Sequence, residues 1–113
     1  MRAGRHVIVW RYAVAEVHRD AFERGYGSSG PWGALFATAP GYGGTELVRG
    51  ERAGDYLTVD HWESKEQYDA FRAERVADYE RLDAEFEDLT ESETLVFEGT
   101  TVEAMSRSAD QDR

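Results

Sequence analysis

Four short segments of the chain combine β-branched and aromatic residues with alternating or continuous hydrophobicity, which is typical of β-strands. The predicted strands are His6–Val14, Thr45–Gly50, Tyr56–Trp62 and Glu93–Gly99. Side chains alternate between the two faces of a strand. In the first strand, HVIVWRYAV, Val7 and Val9 lie on one face and Ile8, Trp10 and Tyr12 on the other, so both faces are apolar. Such a strand is expected to be covered on both sides.

Two other segments repeat their apolar residues every three or four positions, and this spacing predicts helices. The first helix spans Ala15–Gly27 and ends at glycines. The second begins at Ser64, which forms a capping-box pattern with Gln67, and its apolar stripe runs without interruption to Phe86. A short helix with Pro31 in its first turn is predicted between the first helix and the second strand.

The order of the predicted elements is β-α-α-β-β-α-β, which is the ferredoxin-like split βαβ arrangement, an α+β fold with a four-stranded antiparallel sheet. The helices cover one face of that sheet. The other face remains apolar and the chain offers no further element to cover it, so we expect a homodimer in which the two sheets pack together. We place this single domain at residues 1–99, and residues 100–113 are expected to form a flexible tail because no aromatic residue follows Phe97.

Composition narrows the classes of partner and site. A length of 113 residues fits one domain. The absence of cysteine excludes disulfides and thiolate metal sites, and three histidines without an i, i+4 pair argue against a metal centre. A net charge of −10 argues against nucleic acid as a partner. No apolar run is long enough to span a membrane and no signal-peptide pattern opens the chain, so the expected location is the cytoplasm, with no membrane partner.

The third strand and the start of the following helix carry the segment YLTVDHWES, residues 56–64. This segment resembles the antibiotic biosynthesis monooxygenase family, whose pattern at this place is an acid, any residue, Trp, Glu and then Ser or Asp. The matching residues are Asp60, Trp62, Glu63 and Ser64. The stretch FERGYGSSGPWGALFATAPGYGGTEL resembles a subgroup with a long connection before the second strand. The resemblance covers roughly residues 6–99 and implies a dimeric α/β barrel.

The resemblance implies several possible chemistries. Some members of the family oxygenate polycyclic phenols or anthrones with no metal or flavin, others oxygenate quinols or degrade haem, and many have no known activity. The haem-degrading branch uses an Asn on the first strand and a His in the helix after the Trp. Here the first strand has no Asn, and Phe71 stands where many members carry that His. Both departures argue against haem degradation, so no cofactor is expected, with molecular oxygen as co-substrate.

Oxygenation without a cofactor requires an apolar pocket that stacks a flat aromatic substrate, a base that removes a proton, and a donor that stabilises the resulting anion. Strand alternation puts Asp60 on the face of Trp62 and His61 on the opposite face. In the family that Trp faces the cleft, which makes Asp60 the candidate base; His61 is the alternative if the strand end bulges. Arg11 is the candidate catalytic cation, although it or Arg49 could equally form a structural ion pair with Asp60. The residues expected to bind the substrate are Trp62, Trp10, Tyr12, Tyr26, Trp32, Phe36 and Phe71.

The predicted function is therefore a cofactor-independent monooxygenase acting on an aromatic or polyketide-like small molecule. Two alternatives use the same pocket. One is an isomerase or cyclase that employs the acid–base group without oxygen, and the other is a non-catalytic dimeric module that binds a small molecule. The aromatic density and the acid-x-Trp pattern favour a pocket over a bare scaffold.

Overall fold

Residues 4–103 are described by the structure, a computed structural model, and they form a four-stranded antiparallel sheet with helices packed on one of its faces. The strands, in the spatial order β2-β3-β1-β4, are β1 His6–Ala13, β2 Tyr42–Arg49, β3 Asp55–Trp62 and β4 Ser92–Thr100. β1 is central and pairs with both β3 and β4. The predicted α+β, ferredoxin-like fold is confirmed.

The helices form where the apolar spacing predicts them, with one difference. They are α1 Arg19–Tyr26, α2 Pro31–Phe36, α3 Lys65–Glu74 and α4 Val76–Phe86, with 3₁₀ turns at Glu16–His18 and Glu87–Leu89. The Ser64 cap is present, since its Oγ accepts a hydrogen bond from the N–H of Gln67 at 3.2 Å. The uninterrupted helix predicted after Ser64 is wrong, because Arg75 leaves the helical region (φ −115°, ψ 27°) and separates α3 from α4. Each helix still buries an apolar residue, Phe71 in α3 and Leu82 in α4.

The core lies between the inner face of the sheet and the helices, and it consists largely of aromatic rings. Trp62 and Phe22 are completely buried, and Ile8 is nearly so. The Trp62 ring lies 5.3 Å from the rings of both Tyr68 and Phe71, a separation typical of aromatic pairs. Burial of one such side chain stabilises the fold by about 1.5–3 kcal/mol. The tryptophan at the end of β3 therefore closes the core.

The outer face of the sheet carries a second apolar surface. Strand alternation puts Leu57 and Val59 of β3 on this face. The antiparallel register adds Val9, which lies opposite Val59, and Phe97, which lies opposite Val9. Phe97 is 62% exposed. These four residues are the outer apolar face, and no element within residues 4–103 packs on it.

The C-terminal strand ends later than the predicted domain boundary at residue 99. β4 continues to Thr100. The N–H of Thr101 then donates to the backbone oxygen of Arg5 at 2.9 Å, and its Oγ1 accepts from the N–H of Arg5 at 3.0 Å. Most of the predicted tail, residues 104–113, lies outside the described residues, so its flexibility stays a prediction.

Candidate active site

β3 separates its side chains onto two faces by alternation. Thr58, Asp60 and Trp62 point to the inner face and are 4%, 8% and 0% exposed. His61 lies on the outer face, where its Nε2 is 3.2 Å from Oε1 of Glu46. The register of β3 with β1 runs without a break along the whole strand. No bulge in that pairing turns His61 inward, so Asp60 and not His61 reaches the space under the helices.

A cavity of about 170 Å³ lies between the inner face of the sheet and the helices. Its aromatic lining consists of Trp10, Tyr12, Tyr26, Trp32, Phe36 and Tyr79. Its polar side chains are Ser28, Thr45, Thr58, Asp60, Arg72, Asp83 and Glu93. Asp83 and Glu93 are exposed residues and form part of the rim at which the cavity meets solvent. We call this space the aromatic cavity.

Asp60 combines deep burial with an incomplete set of hydrogen bonds. Its Oδ1 accepts a hydrogen bond from Oγ1 of Thr45 at 2.6 Å, and its Oδ2 has no hydrogen-bond partner among the described residues. Burial raises the pKa of Asp60 to about 6, and the hydrogen bond from Thr45 and the neighbouring His61 only partly oppose that rise. At neutral pH most Asp60 side chains are therefore ionised, with one free oxygen and more basicity than an ordinary carboxylate. These are the properties of a general base.

The phenol groups around the cavity stay protonated at neutral pH. Burial is the main cause that raises the pKa of Tyr12, Tyr26 and Tyr79. The hydroxyl of Tyr12 lies 3.2 Å from Oγ1 of Thr58, while that of Tyr79 has no hydrogen-bond partner among the described residues. These phenols can donate hydrogen bonds to a bound molecule, but they do not compete with Asp60 as bases.

Arg72 brings a positive charge to the aromatic cavity from the helix layer. Its Nη1 donates to the hydroxyl of Tyr68 at 2.8 Å, and its guanidinium carbon lies 4.2 Å from the centroid of the Tyr79 ring. Asp60 belongs to the sheet layer. The candidate base and the cation therefore come from opposite layers, with the cavity between them.

The structure divides the predicted substrate-binding residues into two groups. Those that line the aromatic cavity are Trp10, Tyr12, Tyr26, Trp32 and Phe36. Trp62 and Phe71 do not line it. They pack behind Phe36, whose ring lies 6.0 Å from that of Trp62 and 5.4 Å from that of Phe71. Trp62 and Phe71 therefore support the wall of the cavity and do not form its surface.

Arg11 is not a partner of Asp60. It lies on the outer face of β1 with its side chain 57% exposed, and it donates from Nε and Nη2 to the two carboxylate oxygens of Asp55, each at 2.9 Å. Arg49 pairs with Glu23 instead. The prediction of Arg11 as the catalytic cation is wrong, because strand alternation directs residues 11 and 60 to opposite faces of the sheet.

Sequence reasoning identified Asp60 but missed the other six polar residues of the aromatic cavity: Ser28, Thr45, Thr58, Arg72, Asp83 and Glu93. Arg72 follows Tyr68 by four residues, the spacing at which helical side chains meet, and this signal could have indicated it. Thr45 could be found only from the register of β2 with β3, in which it lies opposite Asp60.

Among residues 4–103, no three side chains of histidine, cysteine, aspartate or glutamate come close enough together to hold a metal ion. None of the helices in that part of the chain has the length and apolar character needed to cross a bilayer.

No family model matches the sequence, and no curated protein matches it significantly. Solved structures match over most of its length. A monooxygenase from the gene ActVA-Orf6 of Streptomyces coelicolor, in complex with nanaomycin D, matches with a TM-score of 0.70 and 16% identity, covering 89% of this chain and 90% of that one. SnoaB, a cofactor-independent oxygenase from Streptomyces nogalater, matches with a TM-score of 0.64 and 16% identity, covering 93% of this chain and 98% of that one.

A third match is a mutant of MhuD that holds two manganese protoporphyrin IX molecules per active site. It has a TM-score of 0.63 and 20% identity, covering 89% of this chain and 98% of that one. The three proteins share an architecture, and two of them hold different molecules, nanaomycin D and manganese protoporphyrin IX. Identities this low establish the fold alone. The chain therefore has the fold of the antibiotic biosynthesis monooxygenases, which confirms at that level the resemblance carried by YLTVDHWES.

Proposed function

We propose that the protein is a cofactor-independent monooxygenase that oxidises a small aromatic molecule with an acidic hydroxyl or C–H group. The observation that carries this proposal is the placement of Asp60, a buried carboxylate with one free oxygen in the wall of the aromatic cavity. The similarity of fold to SnoaB, a cofactor-independent oxygenase, supports the same kind of reaction.

The proposed reaction begins when Oδ2 of Asp60 accepts a proton from the substrate. The aromatic anion that remains is electron-rich and passes one electron to O₂. Recombination of the two radicals forms a carbon–oxygen bond and a peroxide anion, which takes the proton back from Asp60. The resulting hydroperoxide loses water together with the hydrogen that remains on the same carbon, and this leaves a carbonyl group. One oxygen atom enters the product and the other leaves as water. All the electrons that reduce O₂ come from the substrate, so the reaction needs no external reductant.

Arg72 is the proposed donor that stabilises the substrate anion. Its positive charge is fixed in the cavity wall by the hydroxyl of Tyr68 and the ring of Tyr79, so it is already in place when an anion binds in the cavity. The free hydroxyl of Tyr79, beside it, can donate a hydrogen bond to the same substrate oxygen. In this mechanism Arg72 takes the role predicted for Arg11.

The size of the aromatic cavity limits the substrate. An apolar cavity of about 150 Å³ binds benzene. The aromatic cavity, at about 170 Å³, therefore accepts one ring fully, and further fused rings extend over the rim near Asp83 and Glu93. A haem does not fit these residues, because the cavity is smaller than typical cofactor sites and no histidine lines it.

We also propose that two copies of the chain associate through the outer apolar face. Phe97 is 62% exposed there, and Val48 on β2, also outside the core, is 43% exposed. Exposed apolar groups that form a continuous surface mark association sites. A second sheet packed on this surface covers it without requiring any further element of the chain.

Oxygen uptake tests the proposed function. The purified protein is mixed with 1-naphthol, with anthrone and with a single-ring phenol, and O₂ consumption is followed with an electrode in the presence of a metal chelator. We expect at least one of them to be consumed with one O₂ per molecule, with one atom of ¹⁸O₂ entering the product. Turnover without oxygen uptake would instead establish an isomerase or cyclase, and binding without turnover would establish a binding module.

A further inference from the structure

The segment GYGG (41–44) forms a bulge at the start of β2. Tyr42 lies opposite Trp62 and Thr45 lies opposite Asp60, with the register shifting between Tyr42 and Gly44. Residues three apart on a regular strand point to opposite faces. The extra residue of the bulge puts both on the inner face, and Gly44 takes the positive φ of 113° that favours glycine.

The bulge creates a chain of hydrogen bonds behind Asp60. The hydroxyl of Tyr42 bonds to Oγ1 of Thr45, and Oγ1 of Thr45 bonds to Oδ1 of Asp60 at 2.6 Å. A threonine hydroxyl has one proton, and an ionised carboxylate can only accept. Thr45 therefore donates to Asp60, and Tyr42 donates to Thr45. The Tyr42 ring is itself held at 5.3 Å from the ring of Trp62.

We propose that Thr45 is a positioning residue for the base: its hydroxyl, held by the hydrogen bond from Tyr42, occupies Oδ1 of Asp60, so that Oδ2 is the oxygen presented to the substrate. This inference rests on the proposed function for its meaning in catalysis, but the hydrogen-bond chain itself does not depend on it. The pairing of β2 with β3 fixes both backbones, which keeps the hydroxyl of Thr45 within hydrogen-bond distance of Oδ1 of Asp60.

Hydrogen bonds to a carboxylate favour its ionised form, so the chain must lower the pKa of Asp60. Arg72 on α3 and the rim carboxyls Asp83 and Glu93 line the same cavity and are unchanged in every variant, so they contribute equally to each midpoint. The other titratable groups around Asp60 are phenols: Tyr12 on β1, Tyr26 on α1, Tyr42 on β2 and Tyr79 on α4. These phenols stay neutral through the pH range in which Asp60 titrates. His61 lies on the opposite face, and its positive charge when protonated also lowers the pKa of Asp60.

The test is a ¹³C NMR titration of the Asp60 carboxyl, with its signal identified by its loss in Asp60→Asn. Thr45→Val is expected to raise the titration midpoint by about one pH unit, the size expected for one hydrogen bond to a charged group. Thr45→Ser keeps the hydroxyl and should restore the wild-type midpoint. Tyr42→Phe should raise the midpoint by less than Thr45→Val does, because it removes only the second bond of the chain.

Two matched controls separate positioning from general structural damage. Thr94→Val changes a threonine opposite Arg11, on the outer face, and should leave the midpoint unchanged. His61→Gln, titrated alone and combined with Thr45→Val, removes the contribution of the neighbouring histidine. An unchanged midpoint in Thr45→Val, or a shift in Thr45→Ser as large as that in Thr45→Val, would overturn the proposal. If Thr45→Val fails to fold, the midpoints of Tyr42→Phe and Thr45→Ser decide it.

The titration needs no substrate, so it distinguishes failure of this inference from failure of the proposed function. If the Asp60 midpoints shift as expected but the protein takes up no oxygen, the positioning role of Thr45 stands and the proposed monooxygenase function is rejected. If the protein takes up oxygen but the Asp60 midpoint does not change when Thr45 is replaced, the monooxygenase function stands and the positioning role of Thr45 is rejected.

Discussion

The two faces of β3 use the same backbone for different purposes. On the inner face, Thr58 and Asp60 are buried polar groups beside aromatic rings. On the outer face, Leu57 and Val59 are half-buried aliphatic groups, and His61 bonds only to an exposed glutamate. Adjacent residues of one strand therefore meet entirely different surroundings. The difference is one of burial: the inner face buries a charged group, whereas the outer face leaves apolar groups partly exposed.

Each face of β3 and its neighbours carries a feature that makes the folded state of a single chain less stable. Burying a carboxylate without a counter-charge destabilises the folded state, and the raised pKa of Asp60 reports that cost. Leaving Phe97 exposed forgoes the stabilisation that its burial would provide. The proposed base in the aromatic cavity would account for the first cost, and the proposed second copy on the outer apolar face would account for the second.

The sharpest contrast between the faces is expected in catalysis. Asp60→Asn keeps the shape of the side chain but removes its basicity, and it should lower kcat by about 10²–10⁴-fold, the usual contribution of a general base. His61→Gln changes the next residue on the other face and should stay within about tenfold of the wild type, because nothing on that face touches the cavity. An active Asp60→Asn together with an inactive but folded His61→Gln would reverse the assignment of the two faces.

The helix layer offers a second comparison, between Arg72, which lines the aromatic cavity, and Arg75, which does not. Arg72→Gln removes the charge proposed to stabilise the substrate anion and should lower kcat by about 10²-fold. Arg75→Gln is the matched control, since Arg75 pairs with Asp78 and does not line the cavity. Equal rates for the two variants, measured by oxygen uptake, would show that the anion is stabilised elsewhere.

The outer face is tested by its effect on assembly. Phe97→Asp places a charge in the outer apolar face and should weaken the dimer by about 10–100-fold, the range for a central interface residue. Val17→Asp is the control, because Val17 is 81% exposed but lies in the 3₁₀ turn before α1. Sedimentation velocity gives the result directly. A wild-type mass near the 12.8 kDa of one chain at micromolar concentration would reject the dimer itself.

The free energy of unfolding should depend on pH through Asp60, the buried carboxyl of the inner face. The pKa of Asp60 is raised from 3.8 to about 6, so the folded state holds its proton more tightly than the unfolded chain does. The resulting stabilisation is fully present below pH 3.8 and is lost as the pH rises through about 6. Asp60→Asn avoids this loss, and we expect it to be more stable than the wild type by about 1–3 kcal/mol at neutral pH and similar to it near pH 4.

Urea unfolding at the two pH values, at equal protein concentrations, measures this difference. Asp55→Asn is the control, because its hydrogen bond with Arg11 lowers the pKa of that outer-face carboxyl. Replacing Asp55 should not stabilise the protein at neutral pH. The same stability difference for Asp60→Asn at both pH values would show that its carboxyl is not desolvated.

The sequence predicts most of the fold because its signals are local. Alternation in VIVWRY and YLTVDHW identifies the strands, and the Ser64 cap identifies the start of α3. The break at Arg75 could not be predicted, because neither glycine nor proline marks it and the apolar spacing continues across it. The bulge before Thr45 is visible only as a pair of glycines, whose meaning depends on the pairing with β3.

The sequence predicts correctly only the polar site residues whose relative orientation is fixed within a single strand. Alternation alone separates Asp60 from His61, because both lie on β3. Whether Arg11 lies on the same face as Asp60 depends on how β1 pairs with β3, which the sequence does not give. The observed register directs the two side chains to opposite faces. Arg72 and Thr45 enter the cavity from other elements, so their placement depends on tertiary packing that no local pattern encodes.

A crystal structure of the protein soaked with 1-naphthol at neutral pH would show whether Asp60 meets the substrate. We expect the naphthol ring to lie between the sheet and the helices, among Tyr12, Trp32 and Tyr79, with its hydroxyl within hydrogen-bond distance of Oδ2 of Asp60. A ring bound instead on the outer apolar face, or in the aromatic cavity with its hydroxyl turned away from Asp60, would contradict the assignment of Asp60 as the base.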